Sequence, residues 1–352
     1  METKYLDDFK NELDICIRCG YCFEKCPVFN VLGWETDTPR AKAILSYGLL
    51  NGEVEPSQYI ADKYFQCTFC RDCVQACSAK VPLIDIFTAA RADMIKAGYA
   101  YDAHKYMVDS IKKTGNIFAD EELKAPVTDG TTTVYLGCQY LGRGNLAKTY
   151  LNILRKLGIE PRVKDEICCG NIMKTLGFLD EFEEYKKSFI EKFPEEEIIT
   201  LCPTCAVTLK EDYGKNVKFI LDVIAEKLPE IDLGGKVTYH DPCDLSRELT
   251  MMDEPREILE KLGIELTEMP RNRNNSSCCG GGGGILSSDT ELSGKIAEGR
   301  VREAVATGAD TLLTSCPTCE KTLKEAATAL RKEGEDTISV RNIAQLVWKA
   351  IK

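Results

Sequence analysis

Cysteine spacing constrains this 352-residue chain more than any other feature of its sequence. The eighteen cysteines form a group of eight and a group of ten, and the stretch between Cys77 and Cys138, which contains none, marks a domain boundary. The first residues, METKYLDDFKNELD, lack the charged-then-apolar pattern of a secretory signal, so we expect a cytoplasmic protein with reduced thiols. Because the chain has only two histidines, thiolates must supply most ligands, and thiolates alone favour iron-sulfur clusters.

The group of eight contains one motif twice. CIRCGYCFEKCP and CTFCRDCVQAC both have the CxxCxxCxxxC spacing, and their cysteines are Cys16, Cys19, Cys22 and Cys26, then Cys67, Cys70, Cys73 and Cys77. Three thiolates in such a loop hold three corners of a [4Fe-4S] cube, while the fourth cysteine of each run usually ligates the other cluster. We therefore predict that Cys77 completes the first set and Cys26 the second. Structural zinc is the alternative, but zinc sites normally use two separated CxxC pairs.

The group of ten repeats one order of cysteines. Its two sets are Cys138, Cys168, Cys169, Cys202 and Cys205, then Cys243, Cys278, Cys279, Cys316 and Cys319. Matching positions lie 105, 110 and 114 residues apart (243−138, 278−168 and 316−202). Order and approximate spacing both survive, which indicates an internal duplication.

The apolar pattern predicts a multidomain α+β chain. Residues 1–120 read as a helical domain, with helices over 38–50, 82–97 and 101–113 and no convincing strand. Beyond it, short apolar runs such as VYLGC and IITLC alternate with amphipathic helices, which predicts two α/β domains with parallel sheets over 130–234 and 235–352. Loops that follow parallel strands converge at one edge of the sheet, so we expect each set of five cysteines to converge there.

Two adjacent cysteines precede a glycine run in SSCCGGGGG, residues 276–284. A disulfide between sequence neighbours would be strained, whereas adjacent thiolates can bridge the irons of an unusual cluster. Glycines such as Gly170, Gly280 and Gly281 let the backbone approach and direct N–H groups at sulfur. The run could instead be a flexible linker or a phosphate loop, although GxxxxGK[ST] is missing. The two CPTC motifs could alternatively be thioredoxin-like dithiols.

The order Cys, CCG, CPxC, found twice after a ferredoxin module, resembles heterodisulfide reductase, specifically the fused type of its catalytic subunit. The resemblance covers nearly the whole chain and all eighteen cysteines. It implies that each CCG domain holds one noncubane [4Fe-4S] cluster through its five cysteines, and that the helical domain holds two cubane clusters. The implied reaction is a step of methanogenesis, the reductive cleavage of the mixed disulfide of coenzyme M and coenzyme B between the two noncubane clusters. This chain has Asp244 after Cys243, where many relatives have histidine.

Charge narrows the partners and the substrate contacts. A net charge of −11 argues against nucleic acid, and no apolar run is long enough to insert in a membrane. Because both coenzymes are anionic, Arg271 and Arg273 are candidate substrate contacts, together with Lys174 and Arg247. We expect His240 to be structural and His104 to lie at the surface.

Electrons must come from another protein, since the chain lacks a flavin or nucleotide fingerprint. We expect a membrane cytochrome b, which would bring the protein to a membrane, or a soluble flavoprotein. One rival interpretation is an electron-transfer subunit of a flavin-dependent dehydrogenase, similar to those of glycolate oxidase or glycerol-3-phosphate dehydrogenase. Another is a redox partner that activates or matures a different metalloenzyme.

Overall fold

A computed structural model describes residues 3–352 and divides them into two compact units. The first unit contains the chain up to Val108 together with two later segments, Ile172–Glu183 and Ser277–Ala297. The second unit contains Asp109–Asn171, Glu184–Ser276 and Glu298–Lys352. Neither unit is continuous in sequence, so contacts between distant segments complete each of them.

The N-terminal part of the first unit is helical, and no strand occurs between residues 3 and 127. Its helices are α1 (Lys10–Ile15), α2 (Pro27–Leu32), α3 (Pro39–Leu50), α4 (Gln58–Phe65), α5 (Asp72–Ala76), α6 (Leu83–Lys96) and α7 (Asp102–Thr114), which continues into the second unit. Short 3-10 turns cover Leu6–Phe9 and Glu35–Asp37. The predicted helix after Thr38 is confirmed, and Thr38 caps it by accepting a hydrogen bond from the Ala41 N–H.

Helix α6 forms the centre of this helical core. The helix predicted over 82–97 is confirmed, and its side chains Leu83, Phe87, Ala90 and Met94 are at most 2% exposed. The other faces of α6 are largely buried as well, so this helix is packed on most sides instead of lying on the surface.

The second unit holds nine strands. They are β1 (Thr128–Asp129), β2 (Thr132–Tyr135), β3 (Pro161–Val163), β4 (Glu197–Thr200), β5 (Asn216–Phe219), β6 (Lys236–Tyr239), β7 (Glu265–Leu266), β8 (Thr311–Thr314) and β9 (Ser339–Asn342). The first sheet has the order β1-β3-β2-β4-β5 and the second has the order β7-β6-β8-β9. All neighbours are parallel except the short edge pair of β1 and β3. Without β1 the two sheets have the same strand order, which confirms two duplicated α/β domains with parallel sheets.

Helices connect these strands. They are α8 (Cys138–Leu141), α9 (Gly144–Lys156), α10 (Asn171–Leu176), α11 (Leu179–Lys192), α12 (Pro203–Glu211), α13 (Ile220–Lys227), α14 (Glu254–Lys261), α15 (Ile285–Ser288), α16 (Thr290–Val305), α17 (Pro317–Lys332) and α18 (Ile343–Ile351). Asp244–Glu248 adds a π-helical turn and Arg273–Asn275 a 3-10 turn. No helix within residues 3–352 is both long and apolar enough to cross a membrane.

This topology positions the first set of cysteines. Strands β2, β3 and β4 are neighbours, and each is followed within a few residues by cysteines of that set. Strand β3 lies on one side of β2 and β4 lies on the other, so the strand order reverses at β2. Such a reversal opens a crevice at the carboxyl ends of parallel strands.

Candidate metal centres

The first set of five cysteines forms one buried cluster of thiols in the second unit. Cys138 Sγ lies 3.6 Å from Cys168 Sγ, and Cys205 Sγ lies 3.5 Å from Cys169 Sγ. Cys202 adjoins Cys205, and none of the five is more than 9% exposed. These separations are far longer than the roughly 2.05 Å of a disulfide, and all the cysteines are free.

The electrostatics of this cluster favour a bound cation. Hydrogen bonds to neighbouring thiols, followed by burial, raise the pKa of Cys168, Cys169 and Cys205. Several thiolates can share so small a buried volume only beside compensating positive charge, which irons supply. The donor set therefore fits an iron-sulfur cluster.

Three tyrosines hold the loop that carries the adjacent cysteines. The hydroxyls of Tyr135, Tyr185 and Tyr213 donate to the carbonyls of residues 167, 168 and 169 over 2.7, 2.8 and 2.9 Å. Because these three acceptors are consecutive, the loop has little freedom to move its sulfurs. The tyrosines lie far apart in sequence, and no sequence motif predicts them.

A buried carboxylate supports the neighbouring loop. Glu166 accepts hydrogen bonds from the N–H groups of Leu136 and Gly137 over 2.9 and 2.6 Å, and burial raises the pKa of Glu166 to about 8. Gly137 has φ +83°, and a Cβ there would lie 3.0 Å from Cys205 Sγ. The sequence analysis missed both residues, although a glutamate two positions before CCG is a usable signal.

The glycine after each cysteine pair donates its N–H to sulfur. The Gly170 N–H points to Cys168 Sγ at 3.5 Å and the Gly280 N–H to Cys278 Sγ at 3.3 Å. Both glycines have φ near +80° (+78° and +82°), a conformation that suits glycine. Gly281, the third predicted glycine, is the next residue of the second loop.

The second set of cysteines is divided between the units. Cys243, Cys316 and Cys319 belong to the second unit, and Cys278 and Cys279 belong to the first. Cys316 precedes α17 with φ −106° and ψ 132°, as Cys202 precedes α12 with φ −103° and ψ 124°. In the first unit, the Cys278 thiol hydrogen bonds with the side chains of Cys70 and Thr68.

The eight N-terminal cysteines gather into two groups. The thiols of Cys16, Cys19 and Cys77 surround Cys22, and burial raises the pKa of Cys22 to about 11. Cys67 and Cys70 neighbour Cys26, whose pKa burial raises to about 12. The fourth cysteine of each motif thus lies with the other motif, as two interleaved cubane sites require.

The two groups differ in exposure. Cys19 is exposed and Cys16, Cys22 and Cys77 are half-buried, whereas Cys26, Cys70 and Cys73 are buried and only Cys67 of their group is half-buried. The second group lines a small cavity of about 20 Å³. Its four thiols are the donor set that a [4Fe-4S] cluster requires. We call the two groups the exposed site (Cys16, Cys19, Cys22, Cys77) and the buried site (Cys26, Cys67, Cys70, Cys73).

The candidate basic residues have partners of their own. Arg271 Nε donates to the Asn275 carbonyl at 3.2 Å, and Arg273 forms an ion pair with Asp253. Arg247, in the π-helical turn after Cys243, donates to the carbonyls of Asn274 and Ser276, so it contacts the loop that carries Arg271 and Arg273. Lys174 lies on α10 in the first unit. Their contact with an anionic substrate stays a prediction.

The two histidines are both buried. His240 Nδ1 accepts a hydrogen bond from Arg300 Nε at 3.1 Å, and burial lowers the pKa of His240 to about 3. The expected surface position of His104 is wrong, because His104 is fully buried with its ring about 5 Å from those of Phe65 and Tyr101 (5.1 and 5.2 Å). The helical period places it on the inner face of α7.

Known families match most of the chain. The cysteine-rich domain CCG matches residues 132–210 and 237–324, and the 4Fe-4S dicluster domain matches residues 12–81. These ranges contain the three strands of each sheet that precede its cysteines, β2 to β4 and most of β6 to β8, and the helical segment that carries the eight N-terminal cysteines.

Curated relatives extend the likeness to nearly the full length. A subunit of the dihydromethanophenazine:CoB–CoM heterodisulfide reductase of Methanosarcina barkeri is 29% identical over 97% of this chain and 94% of its own. An uncharacterized iron-sulfur protein of Methanococcus maripaludis is 30% identical over 99% and 75%. A subunit of the fumarate reductase (CoM/CoB) of Methanothermobacter marburgensis is 29% identical over 94% and 71%.

A solved structure shares the fold. The crystal structure of a hypothetical protein from Helicobacter pylori aligns with 98% of this chain and 71% of its own, with a TM-score of 0.59. At 10% identity, this likeness concerns the fold alone.

Proposed function

We propose a function from the premise that this chain belongs to the iron-sulfur oxidoreductases of the heterodisulfide reductase type, in which a 4Fe-4S dicluster domain precedes two CCG domains. Two of its relatives are named as subunits of larger enzymes. The proposed activity is reduction of a disulfide, with the mixed disulfide of coenzyme M and coenzyme B as the first candidate. The proposed cofactors are two cubane and two noncubane [4Fe-4S] clusters.

The observation that carries this proposal is the first set of cysteines. Five buried thiols from three neighbouring strands lie in mutual contact, which is one thiol more than a cubane cluster requires. A protein that only relays electrons has little need for a fifth ligand. When bound, the clusters supply one-electron transfer; the protein holds their thiolates, excludes water and shapes the loops around them.

The exposed site suggests where the electron donor binds. Cys19 is exposed, and the same loop presents Ile15, Ile17 and Tyr21, which are 56%, 77% and 67% exposed. Clustered exposed apolar side chains mark interaction surfaces. The proposed donor, a cytochrome b or a flavoprotein, docks on this loop.

The overall reaction takes two electrons and two protons per disulfide and yields two thiols. The electrons come singly from the donor protein and the protons from solvent. Within the second unit, Asp244 connects the two sets of cysteines: it accepts a hydrogen bond from Thr204 of the first CPTC motif, and its other oxygen lies 4.0 Å from Cys243 Sγ. These contacts support a role for this carboxylate in recognising the proposed disulfide.

The test is anaerobic purification followed by iron counting and EPR spectroscopy, with and without the heterodisulfide and its two thiols. We expect about sixteen irons per chain, four per cluster, and a new EPR signal when a thiol is added to the oxidised protein. About eight irons and no such signal would contradict the proposal and favour the electron-transfer role.

A pair of variants assigns the signal. Cys205→Ser removes one of the five thiols, and we expect it to abolish the thiol-induced signal and disulfide reduction. The adjacent substitution Thr204→Ser keeps the hydroxyl that donates to Asp244 and should leave both intact. Equal behaviour of the two variants would contradict the assignment.

A further inference from the structure

A lysine is buried beside the buried site. The Lys42 side chain is 1% exposed and lines the same cavity as Cys26, Cys67, Cys70 and Cys73. Its Nζ donates to the Asp37 carbonyl, while the Asp37 carboxylate pairs with Lys63. Within residues 3–352, Lys42 has no ion pair with a carboxylate, so its charge is free to act on the thiolates.

An arginine is buried on the other side of the same loop. Arg91 is fully buried, and its guanidinium donates to the carbonyls of Tyr64, Cys67, Thr175 and Gly283 over 2.7 to 3.2 Å. It also lies 4.1 Å from the centre of the Phe69 ring. All these acceptors are neutral carbonyls, and a guanidinium stays protonated in proteins. Arg91 is therefore a positive charge at neutral pH that no carboxylate of the described chain offsets.

Two arginines near the exposed site are screened or paired. Arg18 is exposed and stacks on Tyr47, so water screens it. Arg40, which lies against Gly20, is paired with Glu35. At the buried site, Arg71 and Asp72, which are opposite in charge, both line the cavity. Lys42 and Arg91 add two further positive charges beside that site.

We propose that the positive charges of Lys42 and Arg91 raise the reduction potential of the cluster at the buried site above that of the cluster at the exposed site. A cluster with four thiolates becomes more negative when it accepts an electron, and a nearby cation in a low-dielectric interior stabilises that charge. The inference depends on the proposed function only for the presence of the two cubane clusters. Burial alone would act in the opposite direction, so the sign of the difference is informative.

The order of potentials fits the path of the electron. The exposed site is open to a donor protein, and Cys70 of the buried site hydrogen bonds with Cys278 of the second CCG motif. One electron would pass from the cluster at the exposed site to the cluster at the buried site. This transfer would be favourable because the second cluster has the higher reduction potential. The donor protein of the proposed function reduces the exposed cluster again.

The first experiment uses the unmodified holoprotein. An EPR-monitored redox titration separates the two cubane signals by potential, and a soluble paramagnetic ion shortens the relaxation time of the solvent-exposed cluster. We expect the cluster of lower potential to be the one that the ion relaxes. If the ion instead relaxes the cluster of higher potential, or if both clusters titrate together, the proposal is overturned.

Variants then test the two residues. Lys42→Met and Arg91→Met should each lower the reduction potential of the cluster at the buried site. At the wild-type midpoint potential, the ratio of reduced to oxidised cluster should fall about tenfold, which corresponds to about 59 mV for a one-electron couple. Lys10→Met removes an exposed charge of the same unit and should shift nothing. Arg91→Lys should restore the potential, which a purely structural contact would not predict.

The outcomes remain separable from the proposed function. A variant with full iron content and unchanged potentials overturns the assignment of that residue. If the methionine variants lose iron, Lys42→Arg and Arg91→Lys replace them, because these substitutions keep the charge. Both must keep the wild-type order of the two cubane potentials. The titration of the unmodified protein still tests that order directly. A protein with the expected order but no disulfide reduction would contradict the proposed function and leave this inference standing.

Discussion

Asp244 lies between the first CPTC motif and Cys243 in the second unit. Its carboxylate contacts Thr204, which lies between Cys202 and Cys205, and also approaches Cys243. A negative charge at this position disfavours a second negative charge nearby. We therefore expect it to influence which disulfides the protein accepts.

Asp244→Asn tests this influence. The amide keeps an acceptor for Thr204 but removes the charge, so we expect the KM for an anionic disulfide to fall about fivefold, which corresponds to about 1 kcal/mol. The KM for a neutral disulfide should stay the same. Steady-state kinetics with a chemical one-electron donor measures both values. A parallel change for the two substrates would show that the effect is structural.

His104 should remain neutral across the physiological range. Burial and then Arg91 lower the pKa of His104 from 6.5 to about 4. Because the pKa of His104 is lower in the folded protein than in the unfolded chain, this difference contributes about 3 kcal/mol to the free energy of unfolding above pH 6.5. The contribution is lost as the pH falls from 6.5 towards 4, where the unfolded chain binds the proton more readily. Histidine C2 deuterium exchange, followed by mass spectrometry between pH 5 and 8, should show no titration of His104. A midpoint near 6.5 in the folded protein would contradict this, and protein unfolded in denaturant provides the reference.

Among single residues, the cysteines were predictable and the groups that support them were not. The CxxCxxCxxxC spacing depends on local chain geometry, so the sequence displays it directly. Arg91 and Glu166 instead bond to main-chain groups of other segments. Such partners carry no residue signature, and an isolated charge within an apolar run could equally be a surface residue.

At the scale of elements, the run of glycines after Cys279 packs on the second ferredoxin-type motif. A Cβ on Gly282 would lie 2.3 Å from the Thr68 carbonyl oxygen, and one on Gly283 would lie 2.0 Å from that of Cys67. Arg91 donates to both Gly283 and Cys67. The run therefore serves close approach between two backbones, an explanation that neither a linker nor a phosphate loop provides.

Gly283→Ala should detach this loop. Gly283 has φ +67°, and an alanine in that conformation costs about 1–2 kcal/mol before any steric overlap is counted. We expect a lower unfolding temperature, measured anaerobically at one scan rate. Gly294→Ala on α16 is the matched control, since nothing lies within 4 Å of its Cβ position, and it should be neutral or slightly stabilising. Equal unfolding temperatures for the two variants would show that the loop does not pack in this way.

Elements with strong periodicity were predictable, and short ones were not. The runs VYLGC, IITLC, KVTYH and TLLTS gave the four central strands, because each is long and apolar enough to be buried. Strands β1 and β7 contain two residues each, too few for any pattern. The π-helical turn after Cys243 depends on contacts of Asp244 with α12, which only the folded chain provides.

At the scale of the whole molecule, sequence order and compact structure do not coincide. The predicted helical domain, residues 1–120, extends beyond Val108, and its compact unit also needs Ile172–Glu183 and Ser277–Ala297. Composition shifts mark where helices give way to strands, but they cannot show which later segments return to cover the helical core. The contiguous domain limits therefore stay a prediction, and the fragment that they define can be tested.

A fragment of residues 1–120 should bind its buried cluster weakly. It lacks the carbonyls of Thr175 and Gly283 that Arg91 contacts, and an unsatisfied buried donor costs about 1–3 kcal/mol. It also lacks the glycine loop that covers the backbone of residues 67–68. We expect a chelator to remove the four irons of the buried site from the fragment much faster than from the full chain. The exposed site does not depend on these contacts and should lose its iron at an unchanged rate. Co-expression with residues 121–352 should restore the slow release. If the fragment alone releases iron as slowly as the full chain, the later segments do not stabilise the buried site.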